Sequence, residues 1–213
     1  MGDKNSCALI LLAAGASTRM GQPKQLLLVD GQPLLRKVAI SGLTAPVALI
    51  VVVLGANAPQ ITPCLAGLDL RLLINPDWAE GMGSSLRFAM AHLRDNHPEL
   101  TETIVALADQ PDLTDDHLAR LIEVQRTTGR TIVASTYDGV RGPPVLFAAR
   151  HFPELLALRG DTGARGLLKT HAADVATVPL PVGPDLDTPA DYQAYSARAR
   201  RSEPDVAGEL PRQ

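Results

Sequence analysis

Apolar residues along this chain gather into short unbroken runs. Residues 8–12, 48–54, 70–74, 104–107 and 131–135 are the clearest, and 145–147 and 175–178 are weaker examples. Runs of this length, bounded by turn residues, are the pattern of parallel strands covered on both faces. Segments with helical periodicity lie between them. Residues 34–43 read as a first crossover helix, and residues 85–94 set Leu86, Ala89, Met90 and Leu93 on one face. Residues 115–128 have Thr114 as N-cap, acids in the first turn and Gly129 just past the end. Strands alternating with helices build a three-layer sandwich. The pattern therefore predicts one α/β domain over residues 1–195, a three-layer α/β/α sandwich with a mainly parallel sheet. Residues 196–213 hold few large apolar groups and much Arg, Pro, Glu and Gly, so a frayed or disordered tail is expected there. No internal repeat or interdomain linker is evident.

Composition narrows the function. Over 213 residues the hydrophobic fraction is 46% and the charged fraction 20%, which suits a globular core and not wholesale disorder. A net charge of −3 argues against non-specific binding to duplex nucleic acid or to an anionic membrane, since both need a cationic surface. Aromatic residues make up only 3%, so a stacking platform for single-stranded nucleic acid is not expected. Cys7 and Cys64 are too few for a disulfide framework and lack metal-ligand spacing. The five histidines show no metal-like spacing either and are expected at the surface or in caps. Lys4 and the apolar residues 8–14 superficially suggest a leader, but the run is short and passes straight into a glycine loop, so a buried first strand is expected. No run reaches the roughly 18 apolar residues of a membrane span, and a cytoplasmic protein is expected.

The candidate chemistry begins where the first strand ends, in Ala13-Ala14-Gly15-Ala16-Ser17-Thr18-Arg19-Met20-Gly21-Gln22-Pro23-Lys24. Small side chains let a backbone approach a ligand, and successive N–H groups in such a loop can cradle phosphate. Arg19 and Lys24 bring two cations to the same loop. The spacing is neither that of a dinucleotide-binding fingerprint nor that of a P-loop. A generic glycine loop reads better as a tight turn with incidental cations. Here a buried strand leads into small residues, two cations and a proline, which favours a phosphate site. The stretch Leu12-Ala13-Ala14-Gly15-x-Ser17-x-Arg19-Met20-Gly21-x-Pro23-Lys24 resembles the signature of the nucleotidyltransferases related to molybdopterin guanylyl- and cytidylyltransferases. Its Ala-Ala-Gly is similar to the cytidylyltransferase branch. The resemblance implies a Rossmann-like nucleotidyltransferase fold. It also implies that Ala13, Ala14, Gly15, Ser17 and Arg19 embrace the triphosphate and base of a nucleotide, with Lys24 neutralising charge at the phosphates.

Two acidic segments complete the pattern. The run 104–107 ends at Ala108-Asp109-Gln110-Pro111, and ligands of open α/β sheets sit outside the carboxyl ends of strands. A carboxylate facing a phosphate cradle makes sense as a Mg²⁺ ligand. Alone, Asp-x-Pro is a common turn. Ala-Asp-x-Pro after a buried strand resembles the family's metal-binding motif, which makes Asp109 both metal ligand and catalytic residue. In Asp185-Leu186-Asp187-Thr188-Pro189-Ala190-Asp191, Thr188 reads as an N-cap, Pro189 as the first helical residue and Asp191 as a capping-box acid. The segment is similar to the family's C-terminal signature, which implies Asp187 as second metal ligand, with Asp185 the other choice.

Three further segments carry the resemblance. Gly81-Met82-Gly83-Ser84-Ser85-Leu86 opens a helix, and the resemblance implies that Gly83, Ser84 and Ser85 contact the nucleotide, although N-capping alone would explain the serines. Gly142-Pro143-Pro144-Val145-Leu146 resembles the family's Gly-His-Pro-Val-Leu, with Gly142 on the acceptor side and Pro143 where a histidine is frequent. Gly160-Asp161-Thr162-Gly163-Ala164-Arg165 resembles a motif of the cytidylyltransferase branch. Arg165 there is as consistent with clamping an acceptor phosphate as the loop is with a salt-bridged Asp161. Taken together, the resemblance implies a Mg²⁺-dependent enzyme that uses CTP and a molybdopterin-type acceptor, catalysed by Lys24, Arg19 and Asp109, with docking to a molybdoenzyme or its maturation chaperone. Other readings are GTP as donor, another small phosphate as acceptor, a non-catalytic nucleotide-binding cofactor chaperone, and an oxidoreductase, which the missing dinucleotide fingerprint disfavours.

Overall fold

The computed structural model describes residues 6–137, 139–179 and 185–202. Its elements are β1 (Cys7–Ala13), β2 (Leu28–Val29), β3 (Gln32–Pro33), α1 (Leu34–Thr44), β4 (Leu49–Leu54), α2 (Ala58–Ile61), β5 (Arg71–Ile74), α3 (Met82–Asn96), β6 (Glu102–Leu107), α4 (Asp115–Thr128), β7 (Ile132–Tyr137), β8 (Val140–Ala148), α5 (Phe152–Leu156), α6 (Arg165–Thr170), β9 (Val175–Pro179) and α7 (Pro189–Ser202), joined in part by 3-10 turns. The main sheet has seven strands in the order β5-β4-β1-β6-β8-β7-β9, and β2 and β3 form a separate hairpin. Only β8 runs against its neighbours; the other pairings are parallel.

The central strand explains why its sequence is apolar throughout. β1 is buried at all seven positions between β4 and β6. Successive side chains of a strand point to opposite faces. Cys7, Leu9, Leu11 and Ala13 accordingly join a core with α1, α2, α4 and α7, while Ala8, Ile10 and Leu12 join a second core with α3, α5 and α6. Helices cover both faces, which is the expected three-layer sandwich. β1 is flanked by β4 on one side and β6 on the other, so the chain winds outward in both directions from it. That switch opens a crevice at the carboxyl ends of the strands.

Several boundaries differ from the sequence reading. β5 is an edge strand, partly or fully exposed along its length, because only β4 pairs with it. β8 extends the weak run 145–147 to nine residues, since it is held between two partners. α7 continues to Ser202, so residues 196–202, placed in a tail by composition, are helical. The reason is lateral anchoring: Tyr195 is buried in the first core, Arg198 pairs with Asp112 and stacks over Tyr195, and Ser196 Oγ donates to the Tyr192 carbonyl. The remainder of that expected tail, 203–213, lies outside the described residues, as does Lys4. No helix among the described residues is long and apolar enough to cross a membrane.

Candidate active site

The glycine loop leaves β1 directly beside the end of β6, where the Ala108 N–H donates to the Leu12 carbonyl at 3.1 Å. The buried Gln25 holds the loop closed from inside. Its Nε2 donates to the carbonyls of Ala13 at 2.8 Å and Gly15 at 3.2 Å. Ser17, at φ 55°, donates through Oγ to Gln25 Oε1 and accepts the Lys24 N–H. Ser17 therefore shapes the loop and brings Lys24 back over it. The N–H groups of Gly15, Ala16 and Ser17 donate to no acceptor among the described residues, which leaves them available to an anion.

Charge converges above this loop. The Lys24 ammonium lies 2.5 Å from Asp109 Oδ2 and 2.8 Å from Asp187 Oδ1. Arg19 Nη2 reaches the other oxygen of Asp187 at 2.8 Å. Four residues from three distant stretches of chain are thus joined in one cluster. Burial opposes the charge on Lys24, but attraction to Asp109 and hydrogen bonds to both carboxylates outweigh it and raise its pKa. Burial likewise opposes ionisation of Asp187, and the Lys24 and Arg19 contacts outweigh it and lower its pKa. Asp109 is 9% exposed, and its Oδ1 is buried with no hydrogen-bond partner. An unpartnered buried carboxylate oxygen is costly unless a cation comes to it.

The local sequence sets Asp187 in place. Asp191 Oδ2 accepts the N–H groups of Asp187 and Thr188 and the Thr188 hydroxyl, while Thr188 Oγ1 accepts the Asp191 N–H. The Leu186 N–H donates to the Asp109 carbonyl at 3.0 Å, which ties this segment to the end of β6. Asp185 accepts from Gln110 Nε2 at 3.1 Å. Burial, then repulsion from Asp109, raises its pKa.

Two adjoining clefts open here. The first, about 390 Å³, is lined by Ala13, Ala14, Gly15, Ala16, Lys24, Trp78, Ser85 and Asp109, among others. The second, about 400 Å³, has an apolar floor that includes Leu86, Val145 and Phe147, and its lining also includes Arg141, Gly142, Arg165 and Lys169. Leu12, Met82, Leu107 and Asp161 line both. Asp187 lies beside the first cleft through Lys24, and Gly142 and Arg165 lie on the second. Gly83 and Ser84 stand behind these walls. A Cβ on Gly83 would come within 2.7 Å of the Gly160 carbonyl oxygen, so this glycine admits the 160–163 turn against α3. Ser84 Oγ donates back to Asp77 and Gly81 carbonyls, and Asn75 Nδ2 donates to both Ser84 and Ser85.

Trp78, Met82, Arg141, Asp161 and Lys169 line the clefts without having been singled out as site residues. Trp78 was the most legible of these, being the chain's only tryptophan in a glycine-rich stretch. The histidine reading needs correction. His117 is a capping residue, but His151 is 1% exposed and makes a cluster with Glu154 and His171. Contacts between residues 20 apart leave no trace in linear spacing.

A family model described as MobA-like NTP transferase domain matches residues 9–175. Nicotine blue oxidoreductase of Paenarthrobacter nicotinovorans is 38% identical over 172 residues, covering 75% of this chain and 80% of that protein. Purine catabolism protein PucB of Bacillus subtilis strain 168 is 30% identical, covering 86% and 92%. Molybdenum cofactor cytidylyltransferase of Escherichia coli K12 is 27% identical, covering 91% and 96%. Among solved structures, Rv0371c from Mycobacterium tuberculosis H37Rv superposes with a TM-score of 0.80 at 29% identity, covering 91% and 98%. Its complex with manganese gives 0.75 at 28%, covering 88% and 96%.

Proposed function

This chain belongs to the MobA-like NTP transferase domain family, and on that premise we propose that it transfers the nucleotidyl group of an NTP, preferably CTP, to the terminal phosphate of a molybdopterin-type acceptor. The observation that carries the reading is the Lys24–Asp109–Asp187 cluster at the mouth of a cleft walled by free loop N–H groups. An acceptor phosphate oxygen attacks the α-phosphorus of the nucleotide, a new P–O–P link forms, and the bond to pyrophosphate breaks. A phosphate monoester is already a competent nucleophile, so no Ser, Cys or His nucleophile is required. Catalysis is then positioning and charge neutralisation.

The residues fit a divalent cation at this point. Asp109 offers an unpartnered oxygen, and the two carboxylates already share one cationic group, the Lys24 ammonium. Asp109 and Asp187 would hold Mg²⁺, which supplies Lewis-acid polarisation of phosphate oxygens; the manganese complex of a relative supports divalent metal use. Lys24 and Arg19, on flexible stems, turn from carboxylate to phosphate and stabilise the charge that builds there. Ala13, Ala14, Gly15 and Ser17 shape the phosphate cradle, and Ser85 lines the nucleotide cleft. The second cleft suits an acceptor with an apolar ring body and a phosphate, because Arg141, Arg165 and Lys169 bring cations beside its apolar floor.

Pyrophosphate release with each NTP, Mg²⁺ and molybdopterin tests this. Release with CTP, lost in Asp109→Ala, is the expected result. Release with GTP alone would replace the base, and nucleotide binding without release in any combination would leave a cofactor chaperone. The 38% identical relative named an oxidoreductase favours one second reading, that this scaffold carries out a redox reaction. Binding or oxidation of NADH or NADPH would support it, and neither is expected.

A further inference from the structure

A cluster of metal-ligand type lies apart from the nucleotide cleft, and we propose that His151, Glu154 and His171 bind one divalent ion of the zinc class, which pins helix α6 to the far end of the sheet. Ala148, just before His151, pairs with Glu102 at the start of β6, whereas Asp109 follows the end of β6. At about 3.3 Å per strand residue the two places are roughly 20 Å apart.

The hydrogen-bond directions call for a cation. Asp174 stands beside Arg130 and Arg150, and as a carboxylate it can only accept. The Thr131 hydroxyl donates to it, so Thr131 Oγ1 must accept from His151 Nε2, 2.8 Å away. The proton of the neutral His151 ring is thereby fixed on Nε2. Its other nitrogen, Nδ1, faces Glu154 Oε1 at 3.0 Å. In the neutral ring that places a lone pair against a carboxylate oxygen. Either a second proton or a metal ion has to lie between them. His151 is 1% exposed and the His171 ring is centred 4.7 Å away, so one ion between them is enclosed by both rings and the Glu154 carboxylate.

A metal ion satisfies all three groups at once. His171 Nε2 lies 2.8 and 3.0 Å from the two oxygens of Glu154, and the candidate ligand atoms are all within 4.8 Å of one another. Two ligand atoms each about 2.1 Å from one tetrahedral ion stand about 3.4 Å apart, so these side chains need open by only a few tenths of an ångström to admit one. Two imidazoles and a carboxylate favour zinc-class ions over Mg²⁺. The Thr131–Asp174 relay behind His151 is the outer shell that fixes ring tautomer and orientation in such sites. His171 follows the last residue of α6, and that helix carries Arg165 and Lys169 into the second cleft. The site is therefore a structural clamp behind the cleft wall.

Zinc titration of the chelator-stripped full chain tests the proposal. The Asp109→Asn/Asp187→Asn double variant removes the two carboxylates proposed to hold Mg²⁺ and leaves the histidine site. In that background one equivalent of Zn²⁺ is expected to bind and raise Tm. Adding His171→Ala or Glu154→Gln, both at partly exposed positions, should weaken binding by about tenfold or more and remove the Tm rise, with circular dichroism unchanged. Absence of zinc binding in the double variant, or equal binding after either further substitution, would overturn the site and leave the three side chains as a hydrogen-bonded cluster. Because this variant lacks both proposed Mg²⁺ ligands, that failure is separate from any failure of the transferase reading.

Discussion

Lys24 shows how much of the site depends on single side chains. Its raised pKa means that its ion pairs contribute stability fully below the ordinary lysine value of 10.5, and that this contribution fades as pH climbs through the higher folded value. Asp187 is depressed, so its contribution is present above the ordinary 3.8 and fades as pH falls through the lower folded value. The cluster is therefore intact across the neutral range, and titration of Lys24 should not limit turnover at mildly alkaline pH. Lys24→Ala is expected to lower the rate of pyrophosphate release by about 10²-fold or more, the scale of losing one transition-state donor; a rate within threefold of the parent would remove Lys24 from the reaction. Asp185→Asn should keep turnover, because Asp185 accepts a hydrogen bond from Gln110, one that an asparagine oxygen can also accept. The loop, Asp109 and Asp187 were readable as a motif. Gln25 was not, since nothing in a linear pattern says that a buried amide closes the loop.

Secondary-structure elements were legible where their ends are local. α4 runs from Asp115 to Thr128 as its Thr114 cap and Gly129 stop predict, and the Thr188–Asp191 box opens α7. α3 begins three residues earlier than its periodicity predicts, because Gly81 and Gly83 are set by contact with the distant 160–163 turn. Gly83→Ala should therefore push that turn away, costing about 1–3 kcal/mol. Because the turn leads into Arg165, KM for the acceptor should rise more than KM for the nucleotide; equal effects would contradict this coupling. Asp191 orders Asp187 through the backbone by accepting its N–H. Asp191→Ala is expected to reduce kcat by about tenfold or more with the Mg²⁺ requirement increased, as for a displaced ligand, while Asp191→Asn should recover part of it. Steady-state kinetics across Mg²⁺ concentrations check both.

At the scale of the whole molecule, the unbroken apolar runs were enough to expect a parallel sheet between helical layers, since burial on both faces leaves that mark in any such strand. The antiparallel placing of β8 and the short α5 and α6 were not legible, because partners far along the chain decide them. The clefts follow from this arrangement: β1 and β6 end side by side, and the β8 and α6 residues that flank them bring cations to the second opening. The proposed chemistry needs a divalent cation held jointly by Asp109 and Asp187 beneath a bound nucleotide. A crystal grown with CTP and Mn²⁺, measured for manganese anomalous scattering, tests that most directly. The expected map has a peak in contact with both carboxylates and with nucleotide phosphate oxygens, and the Lys24 ammonium moved onto phosphate. A nucleotide in the cleft with both carboxylates still closed on Lys24 and no peak between them would contradict it.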